Sequence, residues 1–192
     1  MREQSKSALR RYQDGDFHKY FKGQGIDIGG APDPLQNYLH VFPLIVCARP
    51  WDIEDGDAQY MEEIPDNRWD FVHSSHCLEH MVDPYVALKN WIRITETRGY
   101  LIITVPDEDM YERGDWPSKR NPDHKHTFTI GKESSWSPVS INVIDMLMEF
   151  IEVVEIIRIT KLDSFFSETS DEFDQTMNPV AECGIEFVLR KR

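Results

Sequence analysis

Apolar residues along this chain fall into short continuous runs, separated by stretches with helical spacing. Ile26 and Ile28 flank Asp27 in a run from Gly25 to Gly29, which reads as a first strand. Leu44 to Ala48 (LIVCA) reads as a second, buried strand, and Trp69 to Ser75 (WDFVHSS) as a third. Tyr100 to Val105 (YLIITV), closed by Pro106, is a fourth, and Val153 to Thr160 and Ile185 to Leu189 are two late strands. Residues 3–22 read as helical, with Leu9, Tyr12, Phe17, Tyr20 and Phe21 as apolar points. Asp83-Pro84 opens a helix with Asp as cap and Pro in the first turn. Tyr85, Leu88, Trp91 and Ile92 share one face of that helix, and Gly99 reads as its stop. Ile141, Ile144, Leu147, Met148 and Ile151 repeat at helical spacing, whereas the acidic stretch DSFFSETSDEFDQ (163–175) reads as a surface excursion.

The resulting order β, α, β, β, α, β, α, β, β predicts an α/β fold with a mainly parallel sheet. Two strands in succession at the end predict a terminal hairpin whose last strand is antiparallel. Neither repeats nor an interdomain linker interrupt the pattern, so a single domain over 1–192 is expected. Residues 1–24 would form a helical cap on it, and the loop-rich segment 107–138 a lid over the substrate.

Composition narrows the class. A chain of 192 residues with 40% hydrophobic content can build one sizeable core. No apolar run reaches the roughly 20 residues that span a bilayer, and the start, MREQSKSALRR, lacks the apolar segment of a secretory signal. Cys47, Cys77 and Cys183 are far apart and odd in number, which argues against a disulfide framework and for a reducing, cytoplasmic setting. A net charge of −13 disfavours nucleic acid as a partner.

Candidate chemistry collects at the strand ends. Gly29-Gly30 follows the first strand, where glycines let a backbone approach a ligand closely. Asp52 follows LIVCA, where a carboxylate can accept both hydroxyls of a ribose. Gly56-Asp57-Ala58 is an acidic turn suited to an adenine amino group. Ser74-Ser75-His76-Cys77-Leu78-Glu79-His80 leaves the third strand. A nicotinamide dinucleotide site would need G-x-G-x-x-G around a pyrophosphate, and Asp33 would repel that group.

The segments GIDIGGAPD, GDAQ, WDFVHSSHCLEHMVDP and GYLIITVPDED, in this order, resemble a compact class I S-adenosylmethionine-dependent methyltransferase of the type 11-like kind. The resemblance covers roughly residues 25–110 and implies a Rossmann-like sheet flanked by helices. It implies S-adenosylmethionine as cofactor and S-adenosylhomocysteine as product. Asp27, Gly29, Gly30 and Ala31 would surround the methionine end; Asp52 would hold the ribose, and Asp57 and Ala58 the adenine. The backbone near Ser75 and His76 would border the sulfonium. Ala31 and Asp33 stand where the family's first motif often has further glycines. The span from the first strand to Asp70 is short for the family, which implies one trimmed strand–helix unit after the second strand.

Methyl transfer needs alignment and dryness, and a base only for a protonated acceptor. His76 and His124 are the candidate bases, since a loop after YLIITVP would bring His124 over the edge occupied by residues 74–80. His76, Glu79 and His80 are spaced i, i+3, i+4, so they can share a face. A structural role for Glu79 and His80 is the leading expectation, with no metal. The alternative is a divalent ion held by His76, Glu79, His80 and His124, as in the metal-dependent small-RNA terminal 2′-O-methyltransferases, which pair an E-x-x-E-H segment with a downstream histidine. The same HxxEH spacing occurs in inverted zincin proteases, but Asp83-Pro84 interrupts the long helix they need.

The acceptor side rests on the 107–129 loop. Tyr111, Trp116, Lys119, Arg120, His124, Lys125 and His126 make it locally basic and aromatic, and Arg10 and Arg11 are expected to join it. Such a patch suits a small polar acceptor bearing phosphate or carboxylate, such as a sugar, nucleotide-linked sugar or glycan, methylated on oxygen or nitrogen. The competing class is a non-catalytic cofactor-binding module.

Overall fold

The computed structural model describes residues 3–168 and 180–192. Residues 169–175 of the acidic stretch therefore lie outside the described residues. The elements are α1 (Glu3–Gln13), α2 (Phe17–Tyr20), β1 (Gly23–Ile28), β2 (Ile45–Trp51), β3 (Trp69–Ser75), α3 (Pro84–Ile94) and β4 (Thr95–Pro106). They are followed by β5 (Thr127–Thr129), β6 (Ser140–Asn142), α4 (Val143–Met148), β7 (Val154–Leu162) and β8 (Gly184–Lys191). Six strands form one sheet in the order β2-β1-β3-β4-β8-β7. The first four run parallel, and β8 is antiparallel to both β4 and β7. The chain leaves β1 toward β2 on one side and returns to β3 on the other, so the crevice at the carboxyl ends of β1 and β3 is the switch point where such sheets bind ligands.

Alternation along the strands supplies a core on each face. Ile26, Ile28, Val72, Leu101, Ile103, Val105, Ile185, Phe187 and Leu189 pack with Leu88 and Trp91 of α3 on one face. Phe71, Ile102 and Val188 pack with Phe17, Tyr20, Phe21, Leu35 and Phe42 on the other. α3 begins as its sequence dictates: the Asp83 carboxylate accepts from the backbone N–H groups of Tyr85 and Val86, and Pro84 needs no partner for its nitrogen.

Three local expectations are corrected. The connection from β1 to β2 holds only a 3-10 turn, Leu35–Tyr38, in place of a helix; Pro32 and Pro34 deny that short span the backbone donors a helix would use. Gly99 lies inside β4 and does not end α3, which runs straight into the strand at Thr95, whose hydroxyl donates to the Trp91 carbonyl. The repeat over 141–151 forms a helix only over Val143–Met148, since Ile141 is drawn into β6 beside Phe128 of β5. Residues 52–68, between β2 and β3, contain turns but no helix or strand, which is the trimmed unit.

α1 inverts its expected polarity. Leu9 and Tyr12 are exposed, whereas Gln4, Lys6, Ser7, Ala8 and Arg11 are buried. The helix lies across the polar carboxyl ends of the strands, so it is held by ion pairs. Arg11 donates from Nε to Glu186 Oε2 at 2.8 Å and from Nη2 to Thr104 Oγ1 at 3.2 Å. Arg10 donates to Glu182 and Glu186 at 2.9 Å each. Both arginines are thereby committed to β8 and its approach, and do not join a basic patch over the substrate. Burial alone would push the Glu186 carboxyl up, but the guanidinium groups of Arg11 and Arg10 more than reverse this and hold it at about 2.

A folded-state value below the unfolded one means that the unfolded chain binds the extra proton in between. The stabilisation, on the order of 3 kcal/mol, is complete above about pH 5 and is lost as pH falls toward 2. Thermal unfolding should thus show a steep acid limb between about pH 5 and 3. Glu186→Gln should lower the melting temperature at pH 7 and flatten that limb; an unchanged limb in the variant would contradict this account.

Candidate functional site

Gly29 closes β1 with φ +72°, and a Cβ there would lie 2.7 Å from Cys77 Sγ. Only glycine relieves both constraints. Its N–H donates to the Trp51 carbonyl at 2.8 Å, tying the end of β1 to the end of β2. Asp27 lies two residues earlier, inside β1. Its Oδ2 accepts from the Leu35 N–H and its Oδ1 meets His73 Nδ1, both at 2.6 Å. His73 Nε2 is 3.0 Å from Arg11 Nη1. A guanidinium only donates, so Nε2 must carry the lone pair and Nδ1 the proton. The His73 imidazole is therefore neutral, in line with burial and the Arg11 charge pulling its pKa down against Asp27.

The main cavity, about 670 Å³, opens at the carboxyl ends of β1 and β2. Of the sequence-predicted cofactor residues, Gly29, Ala31, Asp52, Asp57, Ala58 and His76 line it. Asp27, Gly30 and Ser75 line an adjoining narrow recess with Gly29 and Ala31. Asp52 Oδ2 accepts from the Ala31 N–H at 3.1 Å and Oδ1 from the Ile53 N–H at 2.9 Å. Each oxygen keeps a second lone pair for a hydroxyl. Asp57 caps its own turn, accepting from the Gln59 N–H at 2.7 Å. Trp51 and Ile53 flank Asp52 and add apolar walls; they escaped the sequence reading, although their adjacency to Asp52 was a usable signal. Cys77 also lines the cavity, and burial raises its thiol pKa far above the ordinary value, so it is no nucleophile.

His76 stands at φ +54°, an uncommon backbone for a side-chain-bearing residue, fixed by its N–H to the Thr104 carbonyl at 2.9 Å. Its Nε2 is 3.6 Å from Glu3 Oε2 and its Nδ1 3.6 Å from Glu79 Oε1. Burial lowers its pKa, but the Glu3 and Glu79 carboxylates outweigh that and raise it. Glu79 is wholly buried, and neither carboxylate oxygen has a hydrogen-bond partner. Only its backbone carbonyl is used, accepting from the N–H groups of Lys125 and His126. The side chain thus lacks the structural bonds expected of it. His80 Nδ1 lies 2.8 Å from Asp123 Oδ2, a bond that ties the 3-10 turn Leu78–His80 to the 107–129 loop.

His124 comes over the 74–80 edge, but it does not touch the main cavity. Its side chain has no exposure; Tyr111 stacks on it at 5.1 Å and Glu112 Oε1 lies 2.7 Å from its Nδ1. Glu112 and Asp123 were not anticipated, and no spacing pattern marks them. The rest of the expected basic patch is spent locally. Lys119 pairs with Asp115 at 2.8 Å, Arg120 donates to the Glu112 carbonyl at 3.2 Å, and His126 reaches the Val82 carbonyl. Of the basic side chains of this loop, Lys125 lines the cavity.

The model of a methyltransferase-domain family matches residues 13–137. Among solved structures, a SAM-dependent methyltransferase from Archaeoglobus fulgidus superposes with a TM-score of 0.58 at 20% identity, over 100% of this chain and 95% of that one. The YcgJ protein of Bacillus subtilis gives 0.57 at 12% identity, over 96% and 98%. A SAM-dependent methyltransferase from Methanosarcina mazei gives 0.54 at 12% identity, over 92% and 97%. At these identities the likeness concerns the fold. No curated protein matches the chain by sequence.

Asp27 satisfies two donors at once, and an amide offers them only one acceptor. Asp27→Asn should therefore orphan one buried N–H and cost about 1–3 kcal/mol. A urea unfolding midpoint unchanged from wild type would rule out this buried role.

Proposed function

The chain belongs to the methyltransferase-domain family, and from that membership we propose that it transfers a methyl group from S-adenosylmethionine to an oxygen or nitrogen of a small polar acceptor. When bound, the cofactor supplies the activated methyl carbon. The observation that carries the reading is the convergence of Gly29, Asp52 and Asp57 from three separate segments on one cavity. Asp52 offers two free lone pairs for the ribose hydroxyls, Asp57 and Ala58 receive the adenine edge, and Trp51 and Ile53 exclude water from its faces. Gly29, Gly30 and Ala31 let the methionine end approach the backbone, with Ser75 and His76 beside the sulfonium.

His76, on the cavity wall, is the candidate base that can meet the acceptor; His124 stands behind Glu79 and acts indirectly. Around His76 the wall is polar, with His80, Asp123 and Lys125. A hydroxyl-rich acceptor, such as a sugar, nucleotide-linked sugar or glycan, suits that wall; Lys125 donates one N–H to the His80 carbonyl at 2.7 Å and keeps others for a phosphate or carboxylate. Cys47, Cys77 and Cys183 form no disulfide, which fits a reducing cytoplasm. No described helix is long and apolar enough to cross a membrane.

Calorimetric titration should show binding of S-adenosylmethionine, weakened at least about 100-fold by Asp52→Ala through the loss of two hydrogen bonds to a charged group. Absence of binding at millimolar cofactor would overturn the donor assignment. Labelled methyl transfer to a panel of sugars and nucleotide-linked sugars tests the enzyme reading. Incorporation supports it; cofactor binding with no transfer to any acceptor would favour a non-catalytic module.

A further inference from the structure

We propose that Glu79, His80 and His124 form a binding site for a divalent transition-metal ion on the wall of the main cavity, with His76 beside it. One donor atom from each of Glu79, His80 and His124 lies within 4.8 Å of the others. Glu79 Oε1 is the hub: His76 Nδ1 is 3.6 Å from it, His124 Nε2 3.9 Å and His80 Nε2 4.0 Å. All of these distances are too long for hydrogen bonds. They are close to what an ion imposes, since metal–donor bonds of about 2.0–2.2 Å set donors about 3–4 Å apart.

The unsatisfied atoms point to the same place. Glu79 Oε1 and Oε2, His76 Nδ1 and His124 Nε2 are all buried without a hydrogen-bond partner. Leaving a buried carboxylate in that state costs several kcal/mol, which a bound cation would recover. The imidazoles are also set for ligation. His124 gives its Nδ1–H to Glu112 at 2.7 Å, and His80 gives its Nδ1–H to Asp123 at 2.8 Å. Each is thereby left with a bare Nε2 turned toward Glu79, the carboxylate–histidine–metal arrangement that fixes a ligating tautomer. Two imidazoles and one carboxylate select a first-row divalent transition ion over magnesium or calcium, which prefer oxygen donors.

The site opens toward the main cavity, because its ligand His80 lines that cavity, with His76 next to it. On the proposed methyl-transfer reading, an ion there would hold an acceptor hydroxyl beside the donor and lower its pKa, relieving His76 of work as a base. This last step rests on that reading; the metal site itself does not.

The test uses metal-stripped full-length protein and cobalt(II) or zinc(II) alone. Wild type should bind one cobalt(II) per chain, with a visible d–d band and a raised melting temperature. Glu79→Gln and His124→Gln should abolish the band. The partly exposed His80→Asn, which leaves the buried residues in place, should weaken binding at least tenfold. Glu112→Gln, acting through His124, should weaken it about 10–100-fold. His126→Ala, outside the cluster, should bind as wild type does. No stoichiometric binding of either ion to wild type, or equal affinity in Glu79→Gln and His80→Asn, would overturn the site. Because these readouts contain no S-adenosylmethionine, a failed cofactor titration beside intact cobalt binding would remove the methyl-transfer reading and leave the metal site standing.

Discussion

Arg11 has no solvent-exposed surface, and the structure is organised around keeping that charge satisfied. Its guanidinium donates to Glu186 of β8, Thr104 of β4 and Gln4 of its own helix, and to His73 of β3, which passes the polarity on to Asp27 of β1. One side chain on α1 thus ties four adjacent strands at one edge of the sheet, the carboxyl ends of β1, β3 and β4 and the amino end of the antiparallel β8. Burial pulls the Arg11 pKa down from so high a starting value that it stays charged, and removing Glu186 would leave a buried charge uncompensated. Such a network adds little stability over a well-packed apolar one. What it adds is position: α1 can sit in one register only, and Glu3 then falls beside His76 and the Ser5 N–H beside Asp33.

The cavity inherits its geometry from that register. Asp27 is held by His73 on one side and holds the Leu35 N–H on the other, so the turn Gly29–Pro34 is pinned at both ends. Asp52 then bonds to Ala31 across the gap between β1 and β2. The recess that contains Asp27 and the cavity that contains Asp52 are two sides of one turn, with Gly29 and Ala31 facing both.

The parts of this arrangement that follow from local pattern were legible in the sequence. Period-two alternation and apolar runs mark β1, β3, β4, β7 and β8, Asp83-Pro84 marks the start of α3, and the strand-end residues Gly29, Asp52 and Asp57 meet as their order along the sheet requires. Contacts between distant segments were not legible. α1 reads as a helix with an apolar face, yet buries its polar one, because what it covers is the polar end of the sheet rather than a core. Arg10 and Arg11 look like members of a basic surface until Glu182 and Glu186, more than 170 residues away in sequence, claim them. Lys119 pairs with Asp115 at i,i+4, but Arg120 and Lys125 of the same loop bond to backbone carbonyls of Glu112 and His80 that no spacing rule identifies.

The histidines show how the same limit can hide chemistry. Glu79 and His80 in the sequence resemble a helix-start device, and the bland assignment depends on backbone donors reaching the carboxylate. Those donors bond elsewhere: the Lys125 and His126 N–H groups go to the Glu79 carbonyl. That bond anchors the loop so that His124 is delivered to the carboxylate it leaves bare. A buried anion ringed by three imidazoles, two of them oriented by further carboxylates, is too costly a way to cap a single turn. The arrangement makes physical sense when the cost is recovered by something that binds there, and the loop that supplies Asp123 and Lys125 to the cavity wall also supplies His124 to the cluster.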